Sequence, residues 1–102
     1  MITKISVGDN VVVRYNTPKV CQVLKIHEYN SDHNHVRDDI ESITMVQAKS
    51  YLYHIDFLIL CNAETGTKLN RKQTYNASSC ECLAEYLDSK RALITKLEKL
   101  IT

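Results

Sequence analysis

The chain of 102 residues contains two glycines, one proline, one phenylalanine and no tryptophan. Gly8 and Gly66 stand alone and far apart. That excludes a glycine-rich phosphate loop, which needs several glycines in one turn. No apolar run approaches the ~20 residues of a membrane-spanning helix. The opening "MITKISVGDN" also lacks the apolar core of a secretory signal. The chain is therefore expected to be cytoplasmic, with no membrane partner. In that compartment Cys21, Cys61, Cys80 and Cys82 are expected to be reduced thiols, and the sequon Asn76-Ala77-Ser78 to be unused. Charge excess is missing too: 13 Lys and Arg against 12 Asp and Glu leave a net charge of +1, so no global field draws nucleic acid. No Ser-His-Asp spacing, paired-carboxylate motif or nucleophile elbow is visible. The expectation is a non-enzymatic chain with no catalytic residues and no cofactor.

What is present is ordinary for a globular protein: 44% hydrophobic and 25% charged residues. The length fits one domain, residues 1–102, with a β-rich core over 1–77 and a C-terminal helix over 78–102. The stretch "VGDNVVVRYNTPKVCQVLKIHEY" reads as a hairpin. Gly8-Asp9 turns the chain, Val11 to Tyr15 is rich in β-branched residues, and Asn16 to Lys19 forms the turn around Pro18. From Val20 to Tyr29 strict alternation puts Cys21, Val23, Lys25, His27 and Tyr29 on one face. "SYLYHIDFLIL" is the clearest strand, with Tyr51, Tyr53, Ile55, Phe57 and Ile59 on one side and Leu52, His54, Asp56, Leu58 and Leu60 on the other. Its end is apolar on both sides, which predicts cover on both faces. "TKLNRKQTY" returns as a polar strand at a sheet edge.

Residues 30–39 are dominated by Asn, Asp and Ser, whose side chains compete for backbone hydrogen bonds, and a polar loop is expected. Asp38 with Glu41 resembles a capping box, which predicts a short helix or turn over 38–44 and leaves a strand open after it. Ser78 with Glu81 makes a second capping box. Beyond it Leu83, Tyr86, Leu87, Leu93, Ile94, Leu97, Leu100 and Ile101 recur at steps of three and four. This predicts a helix of about six turns, about 33 Å long. The fold expected is α+β: a small, strongly bent antiparallel sheet of four to five strands, followed by a long amphipathic helix. The opening "VGDNVVVRY" resembles the first strand of SH3-like barrels, which implies that such a sheet is able to close.

Three surfaces carry candidate chemistry. "SDHNHVRDD" places His33 and His35 among aspartates, and with His27 and Asp32 these offer nitrogen and oxygen ligands of the kind zinc takes. The letters resemble those of His-Asn-His nucleases, but that motif is spread along a ββα unit, whereas here the residues are consecutive. A solvated loop without stoichiometric metal is the expectation, and a metal-dependent enzyme using His33 and His35 is the third-ranked function. Cys80 and Cys82 on a helix would point about 200° apart, unable to hold one ion. In a first helical turn the dipole is able to lower the Cys80 thiol pKa, but a helix-start cysteine with no special reactivity is the expectation.

Lys68, Arg71, Lys72 and Tyr75 form a basic, tyrosine-bearing strand suited to single-stranded nucleic acid. Residues 28–41 weigh against it, since five acids and one arginine give a local charge of −4. The leading expectation is a binding module that acts through protein contacts. Its interface residues are Tyr86, Lys90, Leu93, Ile94, Leu97, Leu100 and Ile101, and its partner is a second copy or another protein. In size and glycine poverty the chain resembles accessory and inhibitor proteins of phages and mobile elements.

Overall fold

A computed structural model of the chain describes residues 4–91. The strands are β1 (Lys4–Ser6), β2 (Asn10–Val13), β3 (Lys19–Tyr29), β4 (His35–Ile40), β5 (Ser42–Thr44), β6 (Tyr53–Asn62), β7 (Lys68–Asn76) and β8 (Cys80–Cys82). A one-turn helix, α1 (Met45–Ala48), follows β5, and a second helix, α2, occupies residues 83–91. A six-stranded antiparallel sheet runs β7-β6-β3-β2-β8, with β4 also paired to β3; β1 and β5 form a separate two-stranded ladder. The 11-residue strand β3 is the spine. One flank pairs with β6 along its length, while the other is shared between β2 at residues 19–22 and β4 at residues 26–29.

This corrects the expected class. The described residues are mostly β, 56% strand and 18% helical, and the C-terminal helix described has about nine residues rather than six turns. The sheet does not close into a barrel. Two local competitions explain the shift. The Cys80-Glu81-Cys82 alternation pairs with Val13, Val12 and Val11, giving the β2 edge a partner that a helix start could not supply. The Ser78/Glu81 box therefore does not form; Ala77–Ser79 is a single 3-10 turn capped by Asn76. Likewise, 35–40 pairs with β3 instead of remaining loop, and 38–44 is strand rather than helix. The capping box lies six residues later. The Gln47 N–H donates to the Thr44 hydroxyl at 3.0 Å, and the Thr44 N–H donates to the Gln47 side chain at 2.8 Å.

The core lies on one face of the large sheet. Ile55, Phe57 and Ile59 of β6 meet Cys21, Val23 and Ile26 of β3, all within 1% of complete burial. Burial of each large apolar side chain there contributes about 1.5–3 kcal/mol. Ile5 and Ile43 bring the small ladder onto the same cluster. The opposite face of β6 is only half covered, with Leu58 and Leu60 intermediate, so double cover does not occur. Over β2 the far face is closed: Val12 is fully buried, and the Arg14 guanidinium lies 5.7 Å above the Tyr86 ring of α2.

The four cysteines are unpaired. Burial pushes the Cys80 thiol up to about 12, with a smaller contribution from Cys21. Burial also raises Cys21 to about 11 against the lowering effect of Lys19. Cys80 is thus a buried strand thiol rather than a residue of a first helical turn. A raised folded pKa means that stability is complete below the ordinary thiol value of 9.0 and is lost as pH rises towards about 12. We expect native Cys80 and Cys21 to resist a thiol reagent at pH 8 until the chain is unfolded. We also expect Cys80→Ala to flatten the alkaline loss of stability. Rapid labelling of Cys80 in the folded chain would refute this.

Candidate functional site

An irregularity in β3 creates the most distinctive surface. Val23 faces Phe57 but Lys25 faces Asp56, so Leu24 is one residue too many and forms a bulge. A bulge reverses the alternation beyond it. Cys21 and Val23 stay inside with Ile26, while Lys25, His27 and Tyr29 turn to the outer face. There His27 sits opposite His54, and Lys25 opposite Asp56. Two further register shifts, between β3 and β4, put His35 opposite Tyr29 and Arg37 opposite Glu28. The Asn30 side chain shapes the connecting turn by accepting the N–H groups of Asp32 and Asn34, each at 3.0 Å, and His33 takes a left-handed conformation at φ 63°.

His27, His35 and His54 thereby gather on one face, with His33 in the turn before β4. The His27 and His35 ring centroids are 5.5 Å apart, and Tyr29 packs edge-on to His35 at 5.4 Å and to His54 at 4.9 Å. Burial, and then the charges of His27 and His33, hold His54 below the ordinary histidine pKa. His27 Nε2 lies 2.9 Å from Asp56 Oδ2, and the Thr74 hydroxyl donates to Asp56 Oδ1 at 2.6 Å. An ionised carboxylate only accepts, so Nε2 of His27 carries the proton and Nδ1 presents a lone pair. That Nδ1 faces His35 Nε2 at 3.3 Å. The donor atoms of His27, His35 and Asp38 all lie within 4.8 Å of one another. Lys25 forms an ion pair with Asp38 at 3.1 Å, and this hydrogen bond and charge lower the Asp38 pKa.

Other expected site residues fare differently. His33 and His35 do not form the pair; His35 pairs with His27, and Asp38 rather than Asp32 completes the group. Lys68, Arg71 and Lys72 are exposed on β7, but Lys72 is registered with Leu58 and Arg71 with Ile59, which places them on opposite faces. Tyr75 is half-buried against Phe57 and Tyr15, with centroids 6.3 and 5.4 Å away. Arg71 therefore shares the face of Tyr75, opposite Ile59 and Ile55, while Lys72 lies on the other. Tyr86 is 2% exposed and belongs to the body of the chain, while Lys90 reaches over its ring at 5.5 Å. Leu93, Ile94, Leu97, Leu100 and Ile101 lie outside the described residues. His54, Asp56 and Asp38 were not singled out by sequence reasoning. Only the partnership of β3 with β6 and β4 could have revealed them.

Compared with known proteins, the chain matches no family model, no curated protein and no solved structure.

Burial alone would raise the Asp56 carboxyl, but hydrogen bonds from His27 and Thr74 more than offset it and hold it below its ordinary value of 3.8. The resulting stability is present above pH 3.8 and lost as pH falls through the lower folded value. At neutral pH, Asp56→Asn is expected to cost about 1 kcal/mol. Thr74→Val in the same background should cost less than it does alone, because both substitutions break one network. Fully additive costs in denaturant titrations would refute the network.

Proposed function

We propose that the chain is a small, cytoplasmic, non-enzymatic binding module that acts through protein contacts of its C-terminal segment. The carrying observation is Leu87. Helix α2 buries Tyr86 against the sheet yet leaves Leu87 44% exposed, beside a shallow depression lined by Ala63, Glu64, Tyr86 and Lys90. The sequence continues this apolar stripe through Leu93, Ile94, Leu97, Leu100 and Ile101. A second copy is the simplest partner, because one symmetric patch then covers two chains. An accessory or inhibitor role, in the manner of small phage and mobile-element proteins, belongs to this reading.

One further observation supports it over the nucleic-acid alternative: the β7 register puts Lys72, opposite Leu58, on the other face from Arg71 and Tyr75, opposite Ile59 and Ile55, so the basic residues are divided between two faces. Among the described residues no helix is long and apolar enough to cross a membrane.

Light scattering after size exclusion tests the proposal. The wild-type chain should be a dimer, and Leu97→Asp with Leu100→Asp should dissociate it. Each side chain removed from the interface is worth about 1.5–3 kcal/mol, so the pair should weaken association more than about a hundredfold. The strand signal in circular dichroism should persist. A strictly monomeric wild type at high concentration, or a double variant whose sheet unfolds, would overturn the proposal.

A further inference from the structure

We propose that His27, His35 and Asp38 form a zinc-binding site, with His27 Nδ1, His35 Nε2 and one Asp38 carboxylate oxygen as ligands and solvent in the fourth position. The inference stands apart from the C-terminal contact surface and does not depend on it. Its premise reverses the expectation of a metal-free loop, which held only while His33 and His35 were the pair and 35–39 was unpaired chain. Strand β4 removes that premise.

Four features carry the assignment. First, the two imidazole nitrogens face each other at 3.3 Å. Two nitrogens each about 2.0–2.1 Å from a tetrahedral ion are separated by about 3.3–3.4 Å, so the rings already stand at ligand spacing. Second, His27 has the outer support that zinc histidines carry. Its far nitrogen is bonded to Asp56 at 2.9 Å, and Asp56 is held in turn by Thr74 at 2.6 Å. This fixes the ring and keeps the lone pair of the neutral imidazole on Nδ1. Third, a carboxylate stands in the same group, within 4.8 Å, so at most about 1.5 Å of closure brings it to ligand spacing. Fourth, the side facing solvent is open, since His35 is exposed and the Asp38 side chain is 44% exposed. A zinc ion reaches them without disturbing the core.

The donor set of two imidazoles and one carboxylate, with an open position, suits a borderline divalent ion rather than calcium or magnesium, which prefer all-oxygen shells. Lys25 is the resident competitor. Its ammonium pairs with Asp38 at 3.1 Å, and the ion takes that place when Asp38 turns inward. The bound ion would join β3 to β4 across the bulged end of the sheet, where ladder pairing is least regular.

Titration of the metal-free full chain with zinc chloride tests the site, with cobalt as a spectroscopic substitute. The expected result is saturable binding of one equivalent, and cobalt should give the strong visible absorption of tetrahedral coordination. His35→Ala and Asp38→Asn alter exposed side chains and should weaken zinc by about 10–100-fold. His33→Ala should leave binding unchanged, and Lys25→Met should tighten it by releasing Asp38. Should His35→Ala lose its strand signal, Asp38→Asn and the wild-type cobalt spectrum decide. Absence of one-equivalent binding, full affinity in Asp38→Asn, or loss of binding in His33→Ala would each overturn the assignment.

Discussion

The outer face depends on one extra residue. Leu24 is accommodated as a bulge between Val23, opposite Phe57, and Lys25, opposite Asp56. Without it, strict alternation would turn Lys25, His27 and Tyr29 towards Ile55 and Phe57. A lysine and an unpaired imidazole would then enter a core that has no partners for them, a burial that costs several kcal/mol. With the bulge, the apolar positions of β3 remain in phase with β6 on both sides of the irregularity, and the polar ones emerge together. The polar surface and the apolar core are thus two outcomes of one backbone feature.

The length of β3 sets the second constraint. Eleven residues are too many for the four-residue strand β2 to cover, so its other end stays available and β4 takes it. The same logic operates at the far side of β2, where Cys80–Cys82 supplies the missing edge. That small strand determines the chemistry of its cysteines. In a strand, Cys80 and Cys82 fall on the same side and bury together; a helix start would have divided them.

Much of the frame was legible from residue pattern. The alternation of β6 was read correctly because no bulge interrupts it from Tyr53 to Ile59. The Pro18 turn, the Gly8 turn at φ 94° and the polar edge strand β7 follow local chemistry that the sequence displays. The errors share a cause. A bulge adds a residue of no special type, so Leu24 leaves no mark in the alternation of Val20–Tyr29. Residues 35–40 carry turn-favouring aspartates, and only the free flank of β3 draws them into a ladder. Ser78 and Glu81 satisfy a capping pattern, and tertiary pairing overrode it. The histidine face was invisible for the same reason: His27 and His54 are 27 positions apart and meet only through register.

The histidine-bearing face is built on strands β3, β4 and β6. The outward turn of Lys25, His27 and Tyr29 follows from the bulge at Leu24, and that claim has a direct measurement. In a nuclear Overhauser spectrum of the folded chain, ring protons of His27 should show cross-peaks to the ring protons of His35, and those of Tyr29 to the ring of His54, as their 5.5 and 4.9 Å centroid separations require. Cross-peaks from His27 to the side chains of Phe57 and Ile55 in their place would mean that β3 alternates without a bulge, and would contradict the account.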